Sequence, residues 1–199
     1  MKIKNSQTSI PIVGENLPKK KMYFLPWVGK LIFALFGWGF KNEIPNIPKV
    51  VIIFGPHTSN WDFVFGTAAV FILGVRISWM GKHALFRKPF GGIVRWLGGI
   101  PIDRNSSHGM VDTLVNQIKS MDKFILAIAP EGTRKKVVKW KSGFYRIAQG
   151  ADVPILMVRL DYENKMIRFG PLLYPSGDIN TDMDDMQRIF NNIRGKRAQ

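Results

Sequence analysis

From Val50 onward, short unbroken apolar runs alternate with longer stretches of helical period. Val50 to Phe54 is rich in β-branched residues and shows no polar alternation, the signature of a strand buried on both faces. Trp61 to Leu73 has the period and length of a helix, with Ser59 or Asn60 placed to cap it. Arg76 to Met80, Ile100 to Ile102, Phe124 to Ile128 and Pro154 to Leu160 read as further strands, and Pro101 marks its own as an edge. Ala84 to Leu97 is a mixed helical stretch broken by Pro89 and the Gly91-Gly92 pair. Ser107 to Met121 and Ser142 to Gln149 read as helices. Met166 to Phe169 and an acidic-start helix from Asp182 to Ile193 close the chain. Repeated strand–helix units predict a single α/β layered domain, with a central, mostly parallel sheet flanked by helices. At 199 residues the chain suits one ordinary domain.

Residues 1–49 have a different character. A polar, turn-rich start leads into Lys19-Lys20-Lys21, and an apolar-aromatic segment runs from Met22 to Phe40. Pro45 and Pro48 then make a linker that cannot be helical. The expected division is therefore 1–49 for tail, membrane-interface segment and linker, and 50–199 for the α/β domain. Aromatics at both ends, the Lys triplet and the interior Lys30 fit a helix lying at a lipid interface. A core-packing helix and a true span are the alternatives, the length being marginal against the roughly 20 apolar residues a span needs. Bulky Trp38 and Phe40 stand where a secretory signal would carry small residues, which disfavours a cleaved leader. Because the prolines separate this segment from the first core strand, the domain is expected to fold without residues 1–40.

Charge narrows the partners. Lys and Arg number 29 against 14 Asp and Glu, a net charge of +15. That balance calls for a polyanion: nucleic acid, an anionic lipid surface or an acidic carrier protein. Here the basic residues form short clusters between strongly apolar segments, with 6 Trp and 14 Phe in the chain. A nucleic-acid binder more often shows a basic stripe on an ordinary surface, so an anionic membrane surface is the better fit. There is no cysteine and there are three histidines. Disulfides, thiolate nucleophiles and Cys-based metal sites are thereby removed, and no metal or cofactor is expected.

Three strand-terminal loops hold the residues that could carry chemistry. His57 stands on the loop leaving the Val50 to Phe54 strand, and Asp62 falls in the first turn of the helix that follows. An Asp so placed can accept from one imidazole nitrogen and leave the other free as a base. Glu131-Gly132-Thr133-Arg134 follows the Phe124 to Ile128 strand. Gly132 permits a tight turn, Thr133 offers a hydroxyl, and Arg134 offers a planar fork suited to phosphate. The third loop runs from Gly98-Gly99 through Ile102 to Arg104.

Taken together, these blocks resemble the 1-acyl-sn-glycerol-3-phosphate (lysophosphatidic acid) acyltransferase family, from about Val50 to Met157. His57 and Asp62 match its His-x-x-x-x-Asp catalytic pair. Gly99, Ile102 and Arg104 match its glycerophosphate-binding block, Glu131 to Arg134 its Glu-Gly-Thr-Arg block, and Val153-Pro154-Ile155 its apolar fourth block. Pro56, Ala129, Lys135 and Met157 depart from residues common in the family. The departures leave the His–Asp pair and both arginines intact and bear on which lysolipid is the acceptor.

The resemblance implies an O-acyltransferase of phospholipid biosynthesis. It would move a fatty acyl group from acyl-CoA or acyl carrier protein to the free hydroxyl of a lysophospholipid, 1-acyl-glycerol-3-phosphate first among them. His57 would act as general base and Asp62 as its support. Arg104 and Arg134, with Gly99, Gly132 and Thr133, would bind the acceptor, and Glu131 would position the arginines or the acceptor hydroxyl. The expected location is the cytoplasmic face of the inner or plasma membrane. Gly-x-Ser-x-Gly and Gly-x-x-x-x-Gly-Lys-Ser/Thr are both absent, which argues against a serine hydrolase and a P-loop enzyme. Acylation of another lysolipid, or a catalytically silent lipid- or nucleic-acid-binding protein on the same scaffold, stands as the alternative.

Overall fold

The structure, a computed structural model, describes residues 9–102, 109–134, 137, 139–190 and 195–196. The strands are β1 (Gly39–Lys41), β2 (Lys49–Gly55), β3 (Ser78–Lys82), β4 (Gly99–Ile102), β5 (Phe124–Ile128), β6 (Ile155–Asp161) and β7 (Met166–Leu173). The helices are α1 (Leu25–Phe36), α2 (Trp61–Leu73), α3 (Gly91–Trp96), α4 (Met110–Ser120), α5 (Gly143–Ala151) and α6 (Ile179–Phe190). Among the described residues the strands form one sheet in the order β1-β7-β6-β2-β5-β3-β4. Strands β6, β2, β5, β3 and β4 run parallel, while β7 is antiparallel to β6 and pairs in parallel with β1. This is the α/β layered architecture expected, with a mostly parallel sheet.

Strand β2 shows why its sequence does not alternate. Val50 and Ile52 point into a core shared with Phe33 of α1 and Phe65, Ala68 and Ala69 of α2. Val51 and Ile53 point the other way, into a core with Leu114 and Ile118 of α4, Phe144 and Ile147 of α5 and Met186 of α6. Both faces are covered by helices, so every position from Val50 to Phe54 is apolar.

Several boundaries move for identifiable reasons. Strand β3 starts at Ser78 because Val75 bridges to Lys19 and the Arg76 N–H donates to the Pro18 carbonyl. The Ala84 to Leu97 stretch resolves into a single 3-10 turn, His83–Phe86, followed by the short α3. Helix α6 begins at Ile179, where Asp178 accepts the N–H groups of Asn180 and Thr181 and the Thr181 hydroxyl.

Residues 9–49 are built into the domain. Leu17, Phe33, Trp38 and Phe40 are buried in the same core as Val50 and Ile52. Strand β1 is hydrogen-bonded to β7, and the Asn42 amide donates to the Phe169 carbonyl. Helix α1 crosses α2 so closely that a Cβ on Gly29 would fall 2.6 Å from the Ala68 carbonyl oxygen. The segment thus packs against the domain core instead of standing apart from it, which bears on the expectation that the domain folds without residues 1–40. Pro45 and Pro48 interrupt secondary structure without separating the packing. The opposite face of α1 is open: Tyr23, Phe24, Trp27, Leu31 and Leu35 are all exposed, Trp27 at 77%. Among the described residues no helix is long and apolar enough to cross a membrane, α1 having 12 residues.

Candidate active site

Because β2, β5, β3 and β4 are parallel, their C-terminal ends open on one side of the domain. The chain leaves β2 at Gly55, passes through Pro56 to Asn60 and enters α2 at Trp61. The Asp62 side chain, wholly excluded from solvent, folds back under this loop. Its Oδ2 accepts the N–H groups of Thr58 and Ser59, each at 2.7 Å, and faces His57 Nδ1 across 3.2 Å. Its Oδ1 accepts the Tyr162 hydroxyl at 2.5 Å. The first turn of α2 thus draws the loop tight around one carboxylate. His57 keeps 24% of its side chain exposed and lines the cleft above. With Nδ1 turned to the carboxylate, Nε2 is the nitrogen left to act as a base.

The neighbouring loop, leaving β5, is tied to the first at two points. Glu131 Oε1 accepts the backbone N–H of His57 at 3.1 Å, and Arg134 donates to the Asn60 side-chain carbonyl. Glu131 is buried, and its Oε2 has no partner among the described residues. Burial holds its carboxyl above the usual range, an effect that the N–H bonds to Oε1 only partly offset. The Ala129 to Gly132 turn closes through the Gly132 N–H to the Ala129 carbonyl, with Gly132 at φ +63°. That N–H is committed to the turn. Burial and the Asp62 carboxylate also push the Tyr162 phenol upward, so it stays protonated and donates.

The two loops bound a cleft of about 2240 Å³. Phe63, Trp79 and Leu85 line it on one side and Trp140 on another, and basic groups stand along it, including Lys82, Arg134 and Lys141. It continues inward past Ile52, Ala69 and Leu160, between the sheet and α2. Among the described residues no group of three or more His, Asp or Glu side chains is placed to hold a metal ion.

His57, Asp62, Glu131, Gly132, Thr133 and Arg134 are brought together as the sequence predicts. Glu131 differs from its expected use, since it holds the His57 main chain while Arg134 turns to Asn60. Gly99 stands in a sheet strand rather than in either of these two loops. It lies at the start of β4, in register with Trp79, and a Cβ there would meet the Val94 carbonyl and the Phe86 ring at 2.8 and 2.9 Å. It serves the packing of the His83–Phe86 turn and α3. Arg104 lies outside the described residues. Tyr162 and Asn60 were missed by sequence reasoning. The position of Tyr162, just past the end of the strand beside β2, was the signal available.

Residues 40–161 match the model of a protein family described as Acyltransferase. The fold is similar to the crystal structure of the 1-acyl-sn-glycerophosphate (LPA) acyltransferase PlsC from Thermotoga maritima. That likeness has a TM-score of 0.58 and 15% sequence identity, and it covers 83% of this chain and 75% of that one. No curated protein matches the chain.

Proposed function

The chain belongs to the acyltransferase family, and on that premise we propose that it transfers a fatty acyl group from a thioester to a lysophospholipid hydroxyl. The observation that carries the reading is the His57–Asp62 pair: a partly exposed imidazole in a cleft, backed by a carboxylate fully excluded from water. A silent binding protein would have no use for a supported base. His57 Nε2 takes the proton from the acceptor hydroxyl as its oxygen attacks the thioester carbonyl. The tetrahedral intermediate then expels the thiolate, which recovers that proton from the imidazolium. Asp62 stabilises the imidazolium between the two transfers.

The acceptor we favour is 1-acyl-glycerol-3-phosphate, giving phosphatidic acid. Arg134, fixed beside the base by Asn60, offers its remaining donors to a phosphate. The inward, apolar end of the cleft suits a fatty acyl chain, and Lys82 and Lys141 suit the anionic part of acyl-CoA or acyl carrier protein. The exposed aromatic face of α1 beside Lys19, Lys20 and Lys21 suits an anionic bilayer holding the acceptor, on the cytoplasmic face where acyl thioesters are made. The test is release of free thiol from palmitoyl-CoA by purified protein on vesicles with and without lysophosphatidic acid. Acceptor-dependent release that disappears in His57→Ala supports the reading. Its absence across a panel of lysolipids and both donors would refute it.

A further inference from the structure

Asp62 is held at both oxygens, and the two ends of its carboxylate do different things. Oδ2 serves the loop and His57, while Oδ1 receives the Tyr162 hydroxyl at 2.5 Å. Tyr162 follows directly on β6, the strand on the far side of β2 from the Glu131 loop. Its ring is clamped edge-on by Trp38 at 4.9 Å and by Phe65 at 6.0 Å, so the phenol has little freedom to turn away. Tyr162 is not among the residues lining the cleft. Whatever it does for the reaction, it does through Asp62.

We propose that Tyr162 is a positioning residue of the catalytic pair: it fixes the plane of the Asp62 carboxylate and sets the basicity of His57. The inference rests on the reading of His57 as the base. Two physical effects follow from one hydrogen bond. Without the donor at Oδ1, only the Thr58 and Ser59 N–H groups at Oδ2 fix the carboxylate plane, and its alignment with His57 loosens. A donor at Oδ1 also draws negative charge away from Oδ2, so the carboxylate stabilises the imidazolium less strongly. The Tyr162 donation therefore tempers how strongly Asp62 favours the charged imidazole.

The experiment is the pH profile of kcat/KM for wild type, Tyr162→Phe, a variant with 3,5-difluorotyrosine at 162, and His57→Ala. The phenylalanine keeps the ring between Trp38 and Phe65 and removes only the hydroxyl. It should lower kcat about tenfold, the loss of one hydrogen bond to a charged group, and leave the lysolipid KM unchanged. Its acid limb should move to higher pH. Difluorotyrosine is the stronger donor and should move the limb to lower pH. A purely structural tyrosine would lower the melting temperature without moving either limb. Limbs that stay at the wild-type position, with His57→Ala inactive, overturn the role of Tyr162 alone. Activity surviving in His57→Ala removes the base reading, and this proposal with it. Should Tyr162→Phe fail to fold, the direction of the difluorotyrosine shift decides: downward supports the proposal, none overturns it.

Discussion

Glu131 Oε1 accepts the backbone N–H of His57, so the loop leaving β5 fixes the main chain of the residue that leaves β2. His57 therefore meets two carboxylates, one at its backbone N–H and the other, Asp62, 3.2 Å from its ring Nδ1. The two carboxylates are buried for different reasons. Asp62 is surrounded by donors, whereas Glu131 has one oxygen without a partner among the described residues and a carboxyl pushed upward by burial.

For Glu131 the sign of the pH dependence follows directly. Its folded value lies above the ordinary glutamate value, so the folded state binds the extra proton, and stability falls as pH rises through that window. Glu131→Gln keeps an acceptor for the His57 N–H and removes the ionisation. Its melting temperature should equal the wild-type value near pH 4 and exceed it at pH 8. Glu131→Ala should lose both stability and turnover. Calorimetry across pH, paired with thiol-release assays, separates the two variants.

Asp62→Asn should lower kcat by at least about 10²-fold, because the imidazole loses its orienting charge. It should also cost about 1–3 kcal/mol of stability, since an amide cannot accept from Thr58, Ser59 and Tyr162 at once. His57→Ala should match the rate loss while keeping the wild-type melting temperature to within a few degrees, a loop histidine adding little packing. Denaturant unfolding beside steady-state kinetics distinguishes the pair.

Arg134→Lys should raise the lysolipid KM about tenfold, equivalent to about 1.4 kcal/mol, and leave the donor KM nearly unchanged. An ammonium cannot hold Asn60 and a phosphate in one plane. Equal movement of both constants would reassign Arg134 to the donor. Asn60→Ala should reproduce part of the effect by leaving the guanidinium unanchored.

On α1, replacing Trp27, Leu31 and Leu35 by serine should weaken binding to anionic vesicles without altering the melting temperature, because all three point away from the core. Raising salt should weaken binding further, through Lys19, Lys20 and Lys21. Flotation assays at two salt concentrations read both effects. Unchanged flotation would deny α1 any part in docking.

The strands and helices from Val50 onward were legible because a strand buried on two faces leaves an unbroken apolar run, as Val50 to Phe54 and Phe124 to Ile128 do. The meeting of His57 with Asp62 and the Glu131 loop was legible because strand-end loops are short, so chain order and spacing nearly determine which side chains meet. The fate of the aromatic segment was not. Phe33 and Trp38 turn inward while Trp27 and Leu35 face out, and local periodicity cannot distinguish a wall of sheet from a lipid surface. Tyr162 was hidden for a related reason: it stands 100 residues from Asp62 in the chain, and only the pairing of β6 beside β2 brings them together. At Gly99 the sequence offers no way to choose, because a glycine demanded by close packing looks the same as one demanded by a ligand.

The pairing of β1 with β7 also orders events in time. Asn42 leaves the ribosome 127 residues before Phe169, whose carbonyl it binds. At about 5–20 residues per second of synthesis, that interval is about 6–25 s. Throughout it, β1 lacks the strand it pairs with and Phe40 lacks the Phe169 ring it stacks on, although β2 and α2 are made early in it. The sheet is therefore completed at its β1 edge only after nearly the whole domain has been synthesised.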